Sequence, residues 1–136
     1  MSERTLVLVK PDGVRRGLVG EVLGRIERKG FTLVAAELRT LEAATVRAHY
    51  AEHEGKPFFD GLVEFLTGGP TFCAVVAGPG VIGQWRQMMG ATDPAKAAPG
   101  SIRGDFACAM PDNITHGSDS PESAAREIAL FFPGLA

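Results

Sequence analysis

Thr5-Leu-Val-Leu-Val9, followed by Lys10-Pro11-Asp12-Gly13 and then by the stretch from Leu18 to Lys29, decides the fold. The first run is apolar and rich in β-branched residues and reads as a buried strand. Pro11-Asp12-Gly13 ends it with turn chemistry. Leu18, Val19, Val22, Leu23 and Ile26 then recur at helical spacing, and Gly30 stands where a helix C-cap belongs. Phe31 to Leu41 reads as a second strand, so the chain opens β-α-β.

The same reading carries onward. Ala43 to Glu52 and Phe58 to Leu66 read as helices, and Gly68-Gly69-Pro70 breaks the second of them. Thr71 to Ala77 reads as a third strand and Val81 to Met89 as a fourth helix. Ala91 to Gly104 is rich in Pro and Gly, lacks a period and is expected to be a long ordered loop. Phe106 to Met110 or Asn113 to His116 supplies a short last strand. Ser120-Pro121-Glu122 opens a final helix with an N-cap, a proline at the first position and an early acid. That helix runs to about Leu130, and Pro133 bars its continuation. Two β-α-β units with extra helices inserted predict an α+β fold. The expected form is a ferredoxin-like split βαβ sandwich, a four-stranded antiparallel sheet with helices packed on it.

The chain has 136 residues, the size of one domain with its own core, and residues 1–136 are expected to form a single domain. Its formal net charge is −2, so no global basic field draws it to nucleic acid or to anionic lipid. No apolar run approaches the ~18 residues a membrane helix needs. The start, Met1 to Lys10, lacks the apolar core of a secretory signal, so a cytoplasmic location is expected. Cys73 and Cys108 both sit in apolar, strand-like stretches and are expected to be buried and unpaired.

Asn113-Ile-Thr-His116-Gly-Ser118-Asp119-Ser120 carries the chemistry. Neutral imidazole is a good nucleophile near pH 7. Glu127 lies about two turns into the helix that follows, where its carboxylate can reach back, accept one ring N–H and leave the other nitrogen free to attack. The helix start favours an anion nearby. The bland alternative is a loop histidine that packs or caps. Lys10, Arg86 and Arg103 stand at element ends and in the long loop, and phosphoryl transfer asks for cations around several oxygens.

Together these residues resemble the nucleoside diphosphate kinase family from end to end. The resemblance is carried by Arg4-Thr-Leu-Val-Leu-Val-Lys10-Pro-Asp-Gly13, by His49-Tyr50 with Glu54-Gly-Lys56-Pro57-Phe58-Phe59, and by Arg86 with Gly90-Ala-Thr92-Asp-Pro94. Pro99-Gly-Ser-Ile-Arg103-Gly-Asp-Phe106 and Asn113-Ile-Thr-His116-Gly-Ser-Asp-Ser120 complete it. It implies ping-pong phosphoryl transfer from a nucleoside triphosphate to a nucleoside diphosphate through phosphorylated His116, with broad base specificity. It places Lys10 and Asn113 at the ribose and neighbouring phosphate oxygens. Arg86, Thr92 and Arg103 fall on the phosphates, and Phe58 stacks on the base. Ser118 and Glu127 support the histidine, and Tyr50 lies close to it. Mg²⁺ would arrive with the nucleotide, with no metal site of the protein's own, and the assembly would be a homo-oligomer, a tetramer or hexamer. Ser101, Trp85 and Met110 depart from the family's usual threonine, smaller apolar residue and branched aliphatic residue.

Three rival readings compete with this one. His49-Tyr-Ala-Glu52-His53 fits H-x-x-E-H, which on a helix would set two zinc ligands on one face, but no third ligand stands out downstream. A P-loop is excluded because G-x-x-x-x-G-K-[ST] is absent. A ferredoxin-like binding module would explain the fold but not the gathering of a nucleophile, its orienter and several cations.

Overall fold

In the computed structural model, which describes residues 3–135, β1 (Glu3–Val9) is paired on both edges. Of the expected 1–136 domain, residues 1, 2 and 136 lie outside the described residues. β3 (Thr71–Gly78) lies against one edge of β1 and β4 (Thr115–Gly117) against the other. β2 (Thr32–Arg39) adds beyond β3, so the order is β2-β3-β1-β4, antiparallel throughout. This is the ferredoxin-like arrangement that the alternation of strands and helices predicts.

The apolar run of β1 has a simple cause: both faces of the strand are covered. Val7 and Val9 pack with Ala74 and Val76 against α2 (Val19–Lys29) and α5 (Val81–Met89). Leu6 and Leu8 pack with Cys73 and Val75 against α3 (Ala43–His49), α4 (Phe59–Thr67) and α7 (Pro121–Phe131). Successive side chains of a strand point to opposite faces, so a strand between two helical layers has no polar side to show. β2 has one neighbour only and is largely exposed.

Four expectations are corrected. Pro11-Asp12-Gly13 opens α1 (Pro11–Arg15), a short helix rather than a turn, because extended Lys10 leads into a proline at the first helical position. α3 stops at His49 rather than at Glu52, since Tyr50 leaves helical geometry at φ −103° and a 3₁₀ turn over Ala51–His53 follows. The segment from Ala91 to Gly104 is not a plain loop. It holds a 3₁₀ turn, Pro94–Lys96, capped by Asp93, and the start of α6 (Ile102–Phe106), capped by Ser101. Such short elements have no period to detect. Cys108 is exposed, since the last strand forms at Thr115–Gly117 and none forms around it; Cys73 is buried as expected.

The segment entering α6 is pinned from outside. Arg25 of α2 donates to Asp105 at 2.9 Å and to the Gly100 carbonyl at 2.8 Å. β4 is held in turn by Trp85 of α5, whose Nε1–H donates to the His116 carbonyl at 3.3 Å. Trp85 is 1% exposed, and a Cβ at Gly117 would collide with its ring. Trp85→Ala is therefore expected to cost about 3–5 kcal/mol of unfolding free energy, read from a denaturant midpoint. A cost below about 1 kcal/mol would show that the ring does not carry this face.

Candidate active site

The register of β1 against β4 places His116 opposite Leu8, so the backbone of the central strand fixes the imidazole. His116 Nε2 lies 3.0 Å from Glu127 Oε1. Ser118 Oγ–H donates to the same oxygen at 2.7 Å. Ser118 is itself locked to β1: the Leu6 N–H donates to its Oγ, and its own N–H donates to Thr5 Oγ1, both at 3.1 Å. Burial alone would raise the Glu127 carboxyl, but the hydrogen bond and charge of His116, with the Ser118 bond, outweigh it and hold the group below its ordinary value. Ionised Glu127 can only accept, so Nε2 carries a proton and the neutral form of the ring has its lone pair on Nδ1.

His116 faces a cavity of about 890 Å³. Lys10, Arg86, Thr92, Arg103 and Asn113 line it together, as do Phe58, Tyr50 and Glu127. Ser118 does not line it and stands behind Glu127. Lys10 Nζ donates to Asn113 Oδ1 at 2.9 Å, and Asn113 Nδ2 donates to the Thr92 carbonyl at 3.0 Å. Arg103 is buried, and three of its donors are committed to backbone carbonyls: Asn113 at 3.1 Å, Gly90 at 3.0 Å and Thr115 at 2.6 Å. Burial and the charge of Arg103 pull Lys10 down to about 8, with Asp12 opposing. Burial and Arg86 pull Arg103 down to about 10. Cations that depress one another in a shared cavity mark a place that gains by receiving an anion.

Phe58 and Met110 form the outer part of the cavity, 50% and 52% exposed. Phe59, next in sequence, is buried in the core, so the Phe-Phe pair divides between cavity and core. His53 lies beside the Phe58 ring at 5.3 Å, and Lys56 Nζ stands 5.9 Å from its centre.

Sequence reasoning missed His49. The sequence offers it only within the H-x-x-E-H pattern and the His49-Tyr50 pair, with no role of its own; the structure buries it with its ring 4.8 Å from that of His116, edge to face. Burial and the neighbouring His116 push its pKa down to about 3, so it is a neutral ring. The signal was its position before Tyr50, whose hydroxyl burial and Glu127 push up to about 12. The H-x-x-E-H face does not form, because His53 lies beyond the end of α3 in the 3₁₀ turn. His49, His116 and Glu127 do place donor atoms within 4.8 Å of one another.

The comparisons decide what this geometry belongs to. The family model for nucleoside diphosphate kinase matches residues 3–135. The chain belongs to the nucleoside diphosphate kinase family. The nucleoside diphosphate kinase of Mycobacteroides abscessus is 68% identical over 136 residues, covering 99% of this chain and all of that protein. That of Parafrankia sp. is 64% identical, covering 99% of this chain and 98% of its own. The halophilic nucleoside diphosphate kinase of Halobacterium salinarum, solved in complex with CDP, superposes with a TM-score of 0.94 at 51% identity, covering 97% of this chain and 88% of that one. A family protein from Babesia bovis gives 0.95 at 48%, covering 98% and 90%. The chain is thus a phosphotransferase that moves the terminal phosphoryl group of a nucleoside triphosphate to a nucleoside diphosphate. No helix among the described residues is long and apolar enough to cross a membrane.

The Lys10 titration gives a signed test. Below about pH 8 the free kinase carries the Lys10 ammonium, and above it the amine is neutral. Affinity for a nucleoside diphosphate, measured by calorimetry, is expected to fall as pH rises through about 8, and Lys10→Arg to remove that fall. A wild-type affinity flat from pH 7 to 9.5 would count against a cationic role for Lys10.

Proposed function

We propose that His116 Nδ1 is the nucleophile and that the kinase works by ping-pong transfer in one cavity. The observation that carries this is the Glu127–His116 pair, which spends Nε2–H on an ionised carboxylate and leaves Nδ1 as the free ring nitrogen, in a cavity that Lys10, Arg86 and Arg103 also line. The Nδ1 lone pair attacks the terminal phosphorus of a nucleoside triphosphate. The bond to the bridging oxygen breaks, its electron pair leaves with the nucleoside diphosphate, and the proton stays on Nε2, hydrogen-bonded to Glu127. A second diphosphate takes the phosphoryl group by the reverse step. Donor and acceptor differ by one phosphate, so the same cavity serves both in turn.

Lys10 and Asn113 meet the ribose and adjacent phosphate oxygens, and Arg86, Thr92 and Arg103 meet the phosphates. Arg103 keeps only the donors not already given to carbonyls. The half-exposed Phe58 ring offers a stacking face at the outer end. Every base has such a face, which supports broad base specificity. Ser118 and Glu127 hold the imidazole, and Tyr50 stands beside the transferred group.

Mg²⁺ enters as part of the nucleotide. Of the carboxylates that line the cavity, Glu127 is committed to His116 and Ser118, and Glu52 and Asp119 stand outside the His49–His116–Glu127 group, so among the described residues no cage of oxygen ligands is offered. That suits an ion that keeps its waters and bridges phosphate oxygens. We further take the 1–136 chain as a single cytoplasmic domain that needs no nucleic acid and assembles as a homo-tetramer or homo-hexamer. The unpaired edge of β2, where Leu38 is 58% exposed, supports assembly.

Incubation with γ-labelled triphosphate alone is expected to place one phosphate per chain on His116, stable to base and labile to acid. Double-reciprocal plots should be parallel, and His116→Ala should lose label and turnover. Intersecting lines, or label on another residue, would sink the mechanism. Glu127→Gln is expected to keep nucleotide affinity and lower turnover by about 10–100-fold, the scale of a lost orienting group; lost affinity with intact turnover would assign Glu127 to binding instead.

A further inference from the structure

Ile114 is the only non-glycine residue with positive φ among the described residues, at φ 72°. It is β-branched and fully buried, the residue type for which this conformation is a genuine outlier. The Thr115 N–H donates to the Asn113 carbonyl at 2.8 Å, closing a three-residue turn around Ile114. Positive φ with this bond is the strained form of the γ-turn. The turn lies immediately before His116 and begins at Asn113, so the proposed nucleophile and a proposed ligand contact both hang from it.

Such a turn persists only where its surroundings over-determine it. Here they come from two places in the sequence, residues 10–13 and Arg103. The Ile114 N–H donates to Asp12 Oδ2 at 3.0 Å, and the Ile114 carbonyl accepts the Lys10 N–H at 2.7 Å. Arg103 takes the carbonyls on either side of Ile114, those of Asn113 and Thr115. Gly13 makes room: a Cβ there would come to 2.9 Å from Ile114 Cγ2 and 3.3 Å from the Ile114 carbonyl oxygen. Asp12 is 4% exposed and does not line the cavity. Burial raises its carboxyl above the ordinary value, and its second oxygen has no partner, so the fold carries a costly group there.

We propose that Asp12 is a positioning residue: its carboxylate holds Ile114 in the left-handed turn that sets His116 Nδ1 and Asn113 in the cavity. The proposal rests on His116 being the nucleophile. It assigns the acid of Lys10-Pro11-Asp12-Gly13 a task in the phosphoryl transfer that does not involve touching the nucleotide. Misplacing a reacting atom by about 1 Å costs on the order of 10²-fold in rate.

The test is a paired series read by single-turnover phosphorylation of His116 at saturating ATP, expressed per folded molecule by circular dichroism. Asp12→Ala is expected to slow labelling about 10–100-fold in the native background. Ile114→Gly adopts φ near +72° freely, so in that background Asp12→Ala is expected to cost less than about 3-fold. Asp12→Asn retains an acceptor oxygen and is expected to label within about 5-fold of the wild type, which also serves if Asp12→Ala does not fold. Equal losses in both backgrounds would overturn the proposal by showing that Asp12 does not act through the turn. Asp12→Asn as slow as Asp12→Ala would overturn it by showing that charge, not the Ile114 bond, matters. An unlabelled wild-type His116 would remove the functional reading itself, and this proposal with it.

Discussion

Both ladders of β1 are occupied and both of its faces are covered, so this strand has no freedom left. That constraint sets the position of everything chemical. Lys10 and Asp12 leave its C-terminal end together. His116 lies across from Leu8 on β4, and Ser118 is tied to the backbone of Leu6 and the side chain of Thr5. A shift of one residue in the β1–β4 register would turn His116 to the other face and separate it from Glu127. Only three residues of β4 are paired, so the side-chain ties from Ser118 and Thr115 to β1 matter more than in a longer strand.

The electrostatics of the cavity follow from the same crowding. Buried or partly buried cations, Lys10 and Arg103, are set near Arg86 with too few carboxylates to satisfy them, and each is pulled below its ordinary pKa. The free protein therefore holds a charge distribution that an anion improves. On the opposite side of the imidazole the polarity reverses: Glu127 stays ionised, while Tyr50 keeps its proton and His49 stays neutral. An imidazolium at His49, its ring 4.8 Å from that of His116, would disfavour any positive charge developing on the His116 ring. Burial of His49 prevents it.

Much of this was legible in the sequence because the strong signals are periodic or local. The unbroken apolar run at Leu6 to Val9 is what a doubly covered strand requires, and the caps at Ser120 and Gly30 marked helix ends where the structure has them. The two-turn spacing from Ser120 to Glu127 was enough to place the carboxylate behind His116. What stayed hidden depends on geometry without a period. α1 and α6 are five residues each, shorter than any repeat can reveal. The burial of His49 depends on where α3 ends, one turn before the helical pattern does. The exposure of Cys108 depends on which of two stretches, Phe106 to Met110 or Asn113 to His116, becomes β4, and the sequence holds no preference between them.

The departure least visible in the sequence is the conformation of Ile114, since an isoleucine gives no warning of positive φ. Strain of this kind costs about 1–3 kcal/mol, and each hydrogen bond that holds it returns about 0.5–1.5 kcal/mol net, more where a charged partner is involved. Four bonds from Lys10, Asp12 and Arg103 are therefore enough to hold the turn with a margin, and losing the Asp12 carboxylate narrows that margin while leaving the Ile114 N–H buried without its partner. Arg103 sits on both sides of this account. Its guanidinium fixes the turn with two donors and a third anchors Gly90, while its charge faces the cavity. Lysine could supply the charge but not the fork that grips three carbonyls at once. The requirement at position 103 is thus for arginine's shape as much as for its charge, and the same residue ties the charge of the cavity to the placement of the histidine.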